Sequence, residues 1–492
     1  MSVPEIRLHP LNDHDLRPEG EFVLYWMVTG RRLSWNFALD RAVALARELE
    51  KPLLILEALR VGYRWASDRH HRFALDGMRE HREELEGSDV GYHAYVEPEA
   101  GAGKGLLKAL AGRSVGVVTD VYPTFFVPRM QEAAAEKLDV RLEAVDSLGI
   151  LPLKAAEKTY SAAYHFRRFL QKTLGEHLTE MPVARALPDR PLPAAGHIPD
   201  EVLNRWPAAS QKLLDGDEDA LAALPIDHEV PPVGARGGTE AGRVRLSTFL
   251  DEKLARYPDE RNDPDADAQS GLSPWLHWGH LSAHEVLDAV AKHEEWSPAR
   301  LANEADGKRH GWWGMSEAAE AFLDELVTWR EIGHSYCWLE PDHADYDTLP
   351  EWARETLADH ADDPRDPCYT LEEFRDARTH DELWNAAQRQ LLHEGIIHNY
   401  LRMLWGKKIL EWSESPRRAL EIMIELNNRF AVDGRDPNSY SGIFWTLGRF
   451  DRGWPEREVF GKVRSMTSKS TRRKVDLDRY LERWGDAPTL SL

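Results

Sequence analysis

Short apolar runs alternate with amphipathic stretches over the first 150 residues of the chain. The apolar runs cover residues 22–27, 52–56, 90–96, 115–119 and 140–145. Between them, apolar residues recur at helical spacing over residues 38–50, 72–85 and 127–138. Strands that alternate with helices in this way predict a doubly wound parallel sheet, a Rossmann-like α/β domain that we place at residues 1–152. No GxGxxG sequence follows the first run, so this domain carries no dinucleotide-binding fingerprint.

From about Lys154 the strand-like runs end and helical periodicity dominates the pattern. Stretches rich in proline and glycine at 185–200 and 224–238 separate the two halves. We therefore predict a connector with helical segments over 153–242, followed by an all-α domain over 243–485. The predicted helices of the second half cover residues 243–257, 281–293, 317–336, 383–412 and 415–430.

Composition is typical of a folded protein with more than one domain. The chain has 492 residues, of which 42% are hydrophobic and 30% charged. No apolar run is long enough for a membrane span, and the first residues lack the order of a signal peptide, so we expect a cytoplasmic protein without a membrane partner. The two cysteines, Cys337 and Cys368, form no CxxC pair, which fits a reducing compartment and excludes an iron–sulfur cluster. We expect no metal site.

The formal net charge of −22 argues against a protein that coats nucleic acid non-specifically. One segment departs from this average, because between residues 453 and 475 basic residues outnumber Glu456 and Glu458. The basic residues are Arg457, Lys462, Arg464, Lys469, Arg472, Arg473 and Lys474. Two interpretations stay open: a local basic face, or a solvated surface segment.

Tryptophan is unusually frequent, with 18 residues concentrated in the helical half. Most of them are expected to be core aromatics. Trp405 and Trp412 are seven residues apart, so on a helix they share a face at a rise of roughly 10 Å. This spacing suits electron hopping between indoles. Trp384 would join them if its helix packs alongside.

The segment 269–283 has the features of a helix start that can bind a pyrophosphate. Hydroxyl groups, a glycine and free backbone N–H groups precede a predicted first helical residue, Pro274. The residues concerned are Ser270, Gly271, Leu272 and Ser273. An ordinary helix cap is the alternative interpretation.

Several long motifs, in order, resemble those of the photolyase/cryptochrome family and of its class II branch in particular. They lie at residues 237–283, 322–337, 383–412, 426–445, 453–454 and 460–466. The resemblance covers about residues 150–480, whereas the first domain matches only in general architecture and in YWM (25–27) with a following Asn36. One departure lies at 465–475, SMTSKSTRRKV, where class II sequences usually have aromatic and small residues.

The resemblance implies a helical domain that encloses FAD. Tyr257 and the turn 270–273 match positions that hold the FAD phosphates, and Arg330 matches one that offsets the charge of reduced flavin. Asn427 matches the amide facing the reactive edge of the flavin, where a side chain that both donates and accepts is suitable. Asp433, Arg435 and Asp436 lie in the family's DGRDP loop, although a turn role follows equally from composition. Trp384, Trp405 and Trp412 match the class II electron-transfer triad.

The resemblance also implies a pocket for a flipped-out pyrimidine dimer. Glu325 matches a glutamate on the cavity wall, where a carboxyl with a raised pKa can donate a hydrogen bond as negative charge develops on the dimer. Met403 matches a methionine that contacts the dimer. Trp329 and Trp445 match aromatic walls that replace the lost base stacking. We expect Arg457, Lys462, Arg464, Arg472, Arg473 and Lys474 to contact DNA around the lesion.

We therefore predict light-driven repair of cyclobutane pyrimidine dimers, in double- or single-stranded DNA, by electron transfer from excited reduced FAD. The enzyme class is a carbon–carbon lyase, deoxyribodipyrimidine photo-lyase, acting as a monomer. A second antenna chromophore, a deazaflavin or a folate, is compatible with the first domain, which matches no specific pattern. The alternatives are a cryptochrome-like photoreceptor without repair activity, a (6-4) photolyase, and a flavin-binding structural protein.

Overall fold

The computed structural model describes residues 3–185, 187, 192, 193, 197–487 and 490. Residues 186, 188–191 and 194–196 of the predicted connector lie outside the described residues. The chain divides into two compact units. Unit 1 comprises Met1–Ala155, Glu176–Leu246 and Leu272–Ala291, and unit 2 comprises Ala156–Gly175, Ser247–Gly271 and Lys292–Leu492. These units interleave along the sequence, whereas the domains expected from the sequence, 1–152, 153–242 and 243–485, are contiguous.

Unit 1 is built on one sheet, which in the described residues has six strands in the order β1-β6-β5-β2-β3-β4. All neighbouring strands are parallel except β1 and β6, which are antiparallel. The strands are β1 Leu8–Pro10, β2 Phe22–Met27, β3 Leu53–Leu59, β4 Gly91–Val96, β5 Ser114–Asp120 and β6 Leu142–Val145. The predicted doubly wound sheet is confirmed, and the five predicted apolar runs correspond to β2–β6.

Helices occur along the whole of the described chain. From the start to residue 260 they are α1 Phe37–Glu48, α2 Asp68–Leu85, α3 Leu106–Ala111, α4 Val127–Ala135, α5 Ala163–His177, α6 Asp200–Arg205, α7 Gln211–Asp215, α8 Glu218–Ala222, α9 Thr239–Thr248 and α10 Tyr257–Glu260. The remaining helices are α11 Ser273–His277, α12 Ala283–His293, α13 Glu317–Leu323, α14 Arg330–Leu339, α15 Glu351–Asp359, α16 Leu371–Arg375, α17 Glu382–Glu394, α18 Asn399–Trp412, α19 Pro416–Phe430, α20 Pro437–Thr446, α21 Ser468–Thr471 and α22 Asp478–Trp484.

The central strand β2 is buried along its whole length because both faces of the sheet are covered. Val23, Tyr25 and Met27 belong to a core that includes residues of α1. The alternate residues Phe22 and Leu24 belong to a second core that includes residues of α3. The two cores explain why β2 reads as a continuous apolar run instead of an alternating one.

Asn36 connects this strand to the start of α1. As the N-cap of α1, its side-chain oxygen accepts hydrogen bonds from two backbone N–H groups of the first turn. Its amide nitrogen donates to the Tyr25 hydroxyl at 2.9 Å, and that hydroxyl donates to Asp120 at 2.8 Å. Asp120 also accepts from three backbone N–H groups after β2. The YWM sequence and Asn36, which match the family, therefore belong to a buried hydrogen-bond network with a structural role.

Three of the helices predicted in the second half are interrupted. The predicted helix 243–257 contains a π-helical segment, Phe249–Lys253, and the predicted helix 317–336 contains another, Asp324–Trp329. The predicted helix 383–412 ends at Gly395, whose φ of +68° gives α17 a left-handed C-cap. Apolar periodicity does not distinguish these interruptions from a regular helix, so all three predictions of one continuous helix are wrong.

The last helix, α22, is packed against α17. The Trp484 ring stacks on His393, with centroids 5.8 Å apart, and the Tyr480 hydroxyl donates to Gln390 at 2.9 Å. Arg389 donates to the backbone carbonyl of Trp484 at 3.4 Å. Through these contacts α22 covers one face of α17, which would otherwise be exposed to solvent.

Candidate functional site

Three tryptophans form a continuous line of rings in unit 2. Trp384, on α17, stacks on Trp405 of α18 with centroids 6.5 Å apart and planes at 4°. Trp384 also contacts Trp412 at 6.3 Å with planes at 66°. Trp405 donates its indole N–H to Gln388 at 2.9 Å, and all three rings are buried. Helix α17 therefore supplies the middle ring between the two rings of α18.

The line continues from Trp412 towards the surface. The Trp412 ring contacts the rings of His380 at 4.9 Å and Tyr369 at 5.8 Å. His380 is exposed, and its Nδ1 lies 2.8 Å from the Tyr369 hydroxyl. Lys408 places its ammonium 4.9 Å from the Trp412 ring and is paired with Glu411 at 2.6 Å. The line thus runs from a fully buried indole to side chains that reach solvent.

Glu325 and Trp329 lie on the second π-helical segment. Residues 319–337 are otherwise buried, and these two side chains alone in that stretch are half-buried. They are four residues apart, so they lie on neighbouring positions of one face. π-Helical turns are frequent at functional sites because they re-aim side chains. The segment therefore presents a carboxyl and an indole together.

Glu325 is paired with a basic residue that the sequence analysis did not identify. Arg261 donates to Glu325 Oε1 at 3.1 Å and lies 5.4 Å from the ring of buried Tyr257. Burial raises the pKa of Glu325, while the Arg261 charge opposes this and the neighbouring Asp324 adds to it. The Glu325 side chain retains 34% exposure, so it is partly accessible to solvent.

Met403 and Trp445 are half-buried as well. Met403 lies on α18 and Trp445 on α20. Helix α14, which continues the π-helical segment, packs against α20, and α20 packs against α18. The four residues assigned to the dimer pocket therefore lie on helices that contact one another in succession.

Trp445 has cationic neighbours. The guanidinium carbon of Arg464 lies 5.4 Å from the Trp445 ring and 4.2 Å from the Trp454 ring. Arg464 is paired with Asp451 at 2.9 Å. Since a guanidinium stacks well on aromatic faces, Arg464 connects the two indoles. Arg464, although it belongs to the basic run, therefore makes its contacts within the protein.

Asn427, at the C-terminal end of α19, is buried and donates to Asn428 at 3.2 Å. Asn428 in turn donates to the Tyr440 hydroxyl at 3.2 Å. Asp433 accepts from Arg402 at 3.4 Å, and both residues belong to unit 2. The amides and the DGRDP loop are therefore parts of one polar region between α18, α19 and α20.

This region has polar groups that suit a large polar cofactor. Both ring nitrogens of His398 and the Nε of Arg402 are buried and, among the described residues, have no hydrogen-bond partner. Burial lowers the pKa of His398 to about 4, although Asp267 opposes the shift, so the ring is neutral. Buried polar groups of this kind are normally satisfied, and a bound ligand such as FAD fits them. Asp436 instead caps α20 through the Asn438 N–H.

The predicted phosphate turn lies where the two units adjoin in sequence. Ser270 and Gly271 belong to unit 2, and Leu272 and Ser273 to unit 1. Helix α11 begins at Ser273, so Ser273 is a helical residue and Pro274 is not the first one. Gly271 has a φ of +66°, and no side chain caps α11. Arg330, the predicted flavin partner, is buried at the start of α14.

The basic run divides into two groups. Arg464 is half-buried and paired with Asp451, and Arg472 is exposed and paired with Glu382 at 2.8 Å. Over the part of the chain that is described, the other side chains have no ion-pair partner and are exposed. These are Arg457, Lys462, Lys469, Arg473 and Lys474. The five residues without an ion-pair partner are therefore the ones available to a phosphate backbone.

Sequence reasoning missed two residues beside the predicted site, Arg261 and Gln388. Neither has a sequence signal, because each acts through a contact with a residue distant in sequence. Within the described ranges, no helix is long and apolar enough to cross a membrane, and no group of three or more His, Cys, Asp or Glu side chains is placed to hold a metal ion.

No family model matches the chain. The chain is similar to the deoxyribodipyrimidine photo-lyase of Methanothermobacter thermautotrophicus, with 34% identity over 97% of each chain. It is similar to the enzyme of that name from Potorous tridactylus, with 34% identity over 95% of this chain and 82% of the relative. Its fold resembles a class III photolyase from Agrobacterium tumefaciens, with a TM-score of 0.65, 17% identity and coverage of 94% and 86%. It also resembles a cryptochrome from Synechocystis, with a TM-score of 0.67, 15% identity and coverage of 94% and 90%.

Proposed function

We infer that this protein repairs cyclobutane pyrimidine dimers in DNA under light, because the chain belongs to the deoxyribodipyrimidine photo-lyase family. The chain is thus a carbon–carbon lyase and a flavoprotein. The observation that carries the site assignment is the set of half-buried side chains on the packed helices of unit 2: Glu325, Trp329, Met403 and Trp445.

FAD, when bound, supplies the excited electron that opens the cyclobutane ring and takes it back afterwards, so the protein itself needs no redox group in the pocket. We assign the flavin to the region lined by Asn427, Asp433 and Arg402, with Arg330, Tyr257, the turn 270–273 and Asp436 as further contacts. The ring nitrogens of His398 and the Nε of Arg402, which have no hydrogen-bond partner among the described residues, support this assignment. Asn427 can donate or accept there, as the flavin changes charge.

Glu325, Trp329, Met403 and Trp445 receive the dimer in this proposal. An extruded dimer loses its base stacking, and two indoles with a thioether can replace part of that loss. The exposed part of Glu325 faces the bound dimer, and the dimer carries negative charge only after electron transfer. A protonated carboxyl that donates at that moment stabilises the reaction more than the ground state.

The tryptophan line supports assignment to class II. Light-driven reduction of oxidised flavin needs an electron path to solvent, and Trp405, Trp384 and Trp412 provide rings in contact that end near exposed His380. A cryptochrome-like photoreceptor would also use such a path, but it has no need of a carboxyl and two indoles that line a pocket. For a (6-4) photolyase, the pocket residues include no histidine pair.

The experiment that tests the proposal is an absorption spectrum of the purified protein, followed by illumination with an oligonucleotide that contains one cyclobutane dimer. Flavin bands and light-dependent loss of the dimer are expected. An oligonucleotide with a (6-4) photoproduct serves as the control. Repair of the (6-4) product instead, or flavin photoreduction without any repair, would contradict the proposal and identify one of the two alternatives.

A second, light-harvesting chromophore is proposed for unit 1. Half-buried aromatic residues cluster after β3 and β5, at the carboxyl edge of the sheet where ligands of open parallel sheets bind. Trp65 and Phe125 stack at 5.8 Å, and both have left-handed backbones, with φ of 69° and 62°. A deazaflavin and a folate are both compatible, and the spectrum of the heat-released chromophores distinguishes them. We further propose a cytoplasmic monomer that acts on double- or single-stranded DNA.

A further inference from the structure

Lys407 is a fully buried lysine in direct contact with the Trp445 side chain. Its ammonium lies 4.8 Å from the centroid of the Trp445 ring. It donates to the backbone carbonyl of Thr446 at 2.6 Å. The ammonium of Lys407, on α18, is therefore held against the C-terminal end of α20, where Trp445 is placed.

The two helices approach closely at this point. A Cβ added at Gly406 would lie 2.6 Å from the Thr446 Cγ2 atom, so only glycine permits the spacing. The close approach encloses the Lys407 ammonium and lets it reach the Thr446 carbonyl. A lysine is almost never fully buried without a partner of opposite charge. Here the hydrogen-bond partner is a carbonyl, and the aromatic contact is a ring that we assign to the dimer pocket.

The adjacent lysine provides a contrast. Lys408 also lies over an indole, Trp412, but it is paired with Glu411 at 2.6 Å. An ordinary ion pair accounts for Lys408. It does not account for Lys407, because the charged groups that act on Lys407 are Asp451 and Arg464, and Asp451 is paired with Arg464.

We propose that Lys407 is a positioning residue: its ammonium holds the Trp445 ring in the orientation that receives an extruded dimer, so that recognition of the lesion depends on this charge. The inference rests on the proposed function, since it deepens the role of Trp445. A cation–π contact that is removed from water contributes more than an exposed one, and it fixes the ring relative to α18. The contact disappears when the ammonium loses its proton.

The protonation state of Lys407 changes within an accessible range. Burial lowers its pKa to about 7, with Arg464 acting in the same direction and Asp451 opposing. The group is therefore charged in mildly acidic solution and largely neutral in mildly alkaline solution. Preference for damaged DNA should then fall as the pH rises through this pKa.

The test measures, in the dark, the Kd values of the holoenzyme for a duplex with one dimer and for the same duplex undamaged, from about pH 6 to about pH 8.5 at fixed ionic strength. The preference, which is the ratio of the two Kd values, should fall by about two- to tenfold over this range, as expected for loss of one cation–π contact. Lys407→Met keeps the volume and removes the charge, so its preference should be low and independent of pH. Lys408→Met is the matched control and should behave as the unmodified protein does.

If Lys407→Met does not fold, Trp445→Ala replaces it, because the pH dependence should vanish when the ring is absent. A pH-independent preference in the unmodified protein overturns the inference, as does an unchanged preference in Lys407→Met. These results leave the proposed function standing as long as the unmodified protein prefers the damaged duplex and repairs it under light. If it does neither, the proposed function and this inference both fail.

Discussion

Trp384 and Trp405 stack with ring planes 4° from parallel, and the Trp384 indole N–H donates to the backbone carbonyl of Trp405 at 3.0 Å. The seven-residue spacing of Trp405 and Trp412 suits electron hopping between indoles, and the sequence predicts that Trp384 joins them if its helix packs alongside. In the structure, the ring that contacts both is Trp384, which comes from a different helix. The middle position in the line therefore belongs to α17.

We expect Trp384→Phe to abolish photoreduction of oxidised flavin, because it removes the ring that contacts both others. Repair should continue when the flavin is reduced chemically beforehand. Absorbance changes under blue light measure the first, and dimer loss measures the second. Trp206→Phe, at a buried tryptophan of unit 1, is the control and should photoreduce normally. Normal photoreduction in Trp384→Phe would show that the electron takes another path.

We expect Glu325→Ala to lower repair per absorbed photon more than it weakens binding of damaged DNA. The carboxyl interacts most strongly with a dimer that carries the transferred electron, so its contribution appears along the reaction. Actinometry with a dimer-containing oligonucleotide gives the yield, and a dark titration gives the affinity. A loss of affinity with an unchanged yield per bound photon would make Glu325 a ground-state contact.

We expect Arg261→Gln to extend repair to higher pH. The Arg261 charge opposes the rise that burial causes in the pKa of Glu325, so its removal raises that pKa further. The protonated carboxyl then persists to a higher pH, and the fall in repair yield that accompanies the loss of this proton moves to a higher pH. The measurement is yield per photon against pH. If the double variant Arg261→Gln and Glu325→Gln showed the same shift in pH dependence, the shift would come from a group other than Glu325.

We expect neutralisation of exposed Arg473 and Lys474 to weaken binding of damaged and undamaged DNA by similar factors. Each lost phosphate contact should reduce the slope of log K against log salt by about 0.9. Arg472→Gln is the comparison, and it should have a smaller effect because Arg472 is already paired with Glu382. Titrations at several salt concentrations measure both quantities. An unchanged slope in the double variant would place the DNA-binding face elsewhere.

We expect Lys407→Met to stabilise the fold at or below neutral pH. The unfolded chain keeps this lysine protonated to a much higher pH than the folded one, whose pKa is about 7. The contribution of Lys407 to the free energy of unfolding therefore rises with pH above a pKa of about 7, and the buried charge destabilises the fold most below it. Thermal unfolding of both proteins at several pH values measures the difference in Tm. This difference in Tm should become smaller as the pH rises, and a difference that grows with pH would contradict the pKa assigned to Lys407.

Much of the fold was predictable from the sequence, because a parallel sheet covered on both faces reads as repeated apolar runs. Strand β1 was missed for a physical reason. It is a three-residue edge strand that ends in Pro10, so it has neither the length nor the composition of a buried strand. The π-helical segments were missed because their side chains keep the helical pattern of apolar residues.

The candidate site, too, could be predicted from the sequence only in part. Trp405 and Trp412 could be related by spacing because they lie on one helix. The contact between Glu325 and Arg261 joins residues from separate helices, and nothing in the local pattern relates them. The position of Arg464 between two indoles was equally hidden, since the basic run reads as a uniform set of charges. Only the tertiary structure distinguishes Arg464, which contacts two indoles and Asp451, from the exposed basic residues without an ion-pair partner.

The packing of α22 against α17 also has a consequence for how the protein is made. A ribosome releases α17, with Trp384, well before it releases Trp484 and Tyr480, the residues that contact His393 and Gln390 of α17. Chains fold during synthesis in N-terminal to C-terminal order where units are contiguous, but the α17 surface stays uncovered until α22 emerges. The face of α17 that carries Gln390 and His393 therefore stays exposed to solvent on any ribosome that stalls before it has released Tyr480 and Trp484.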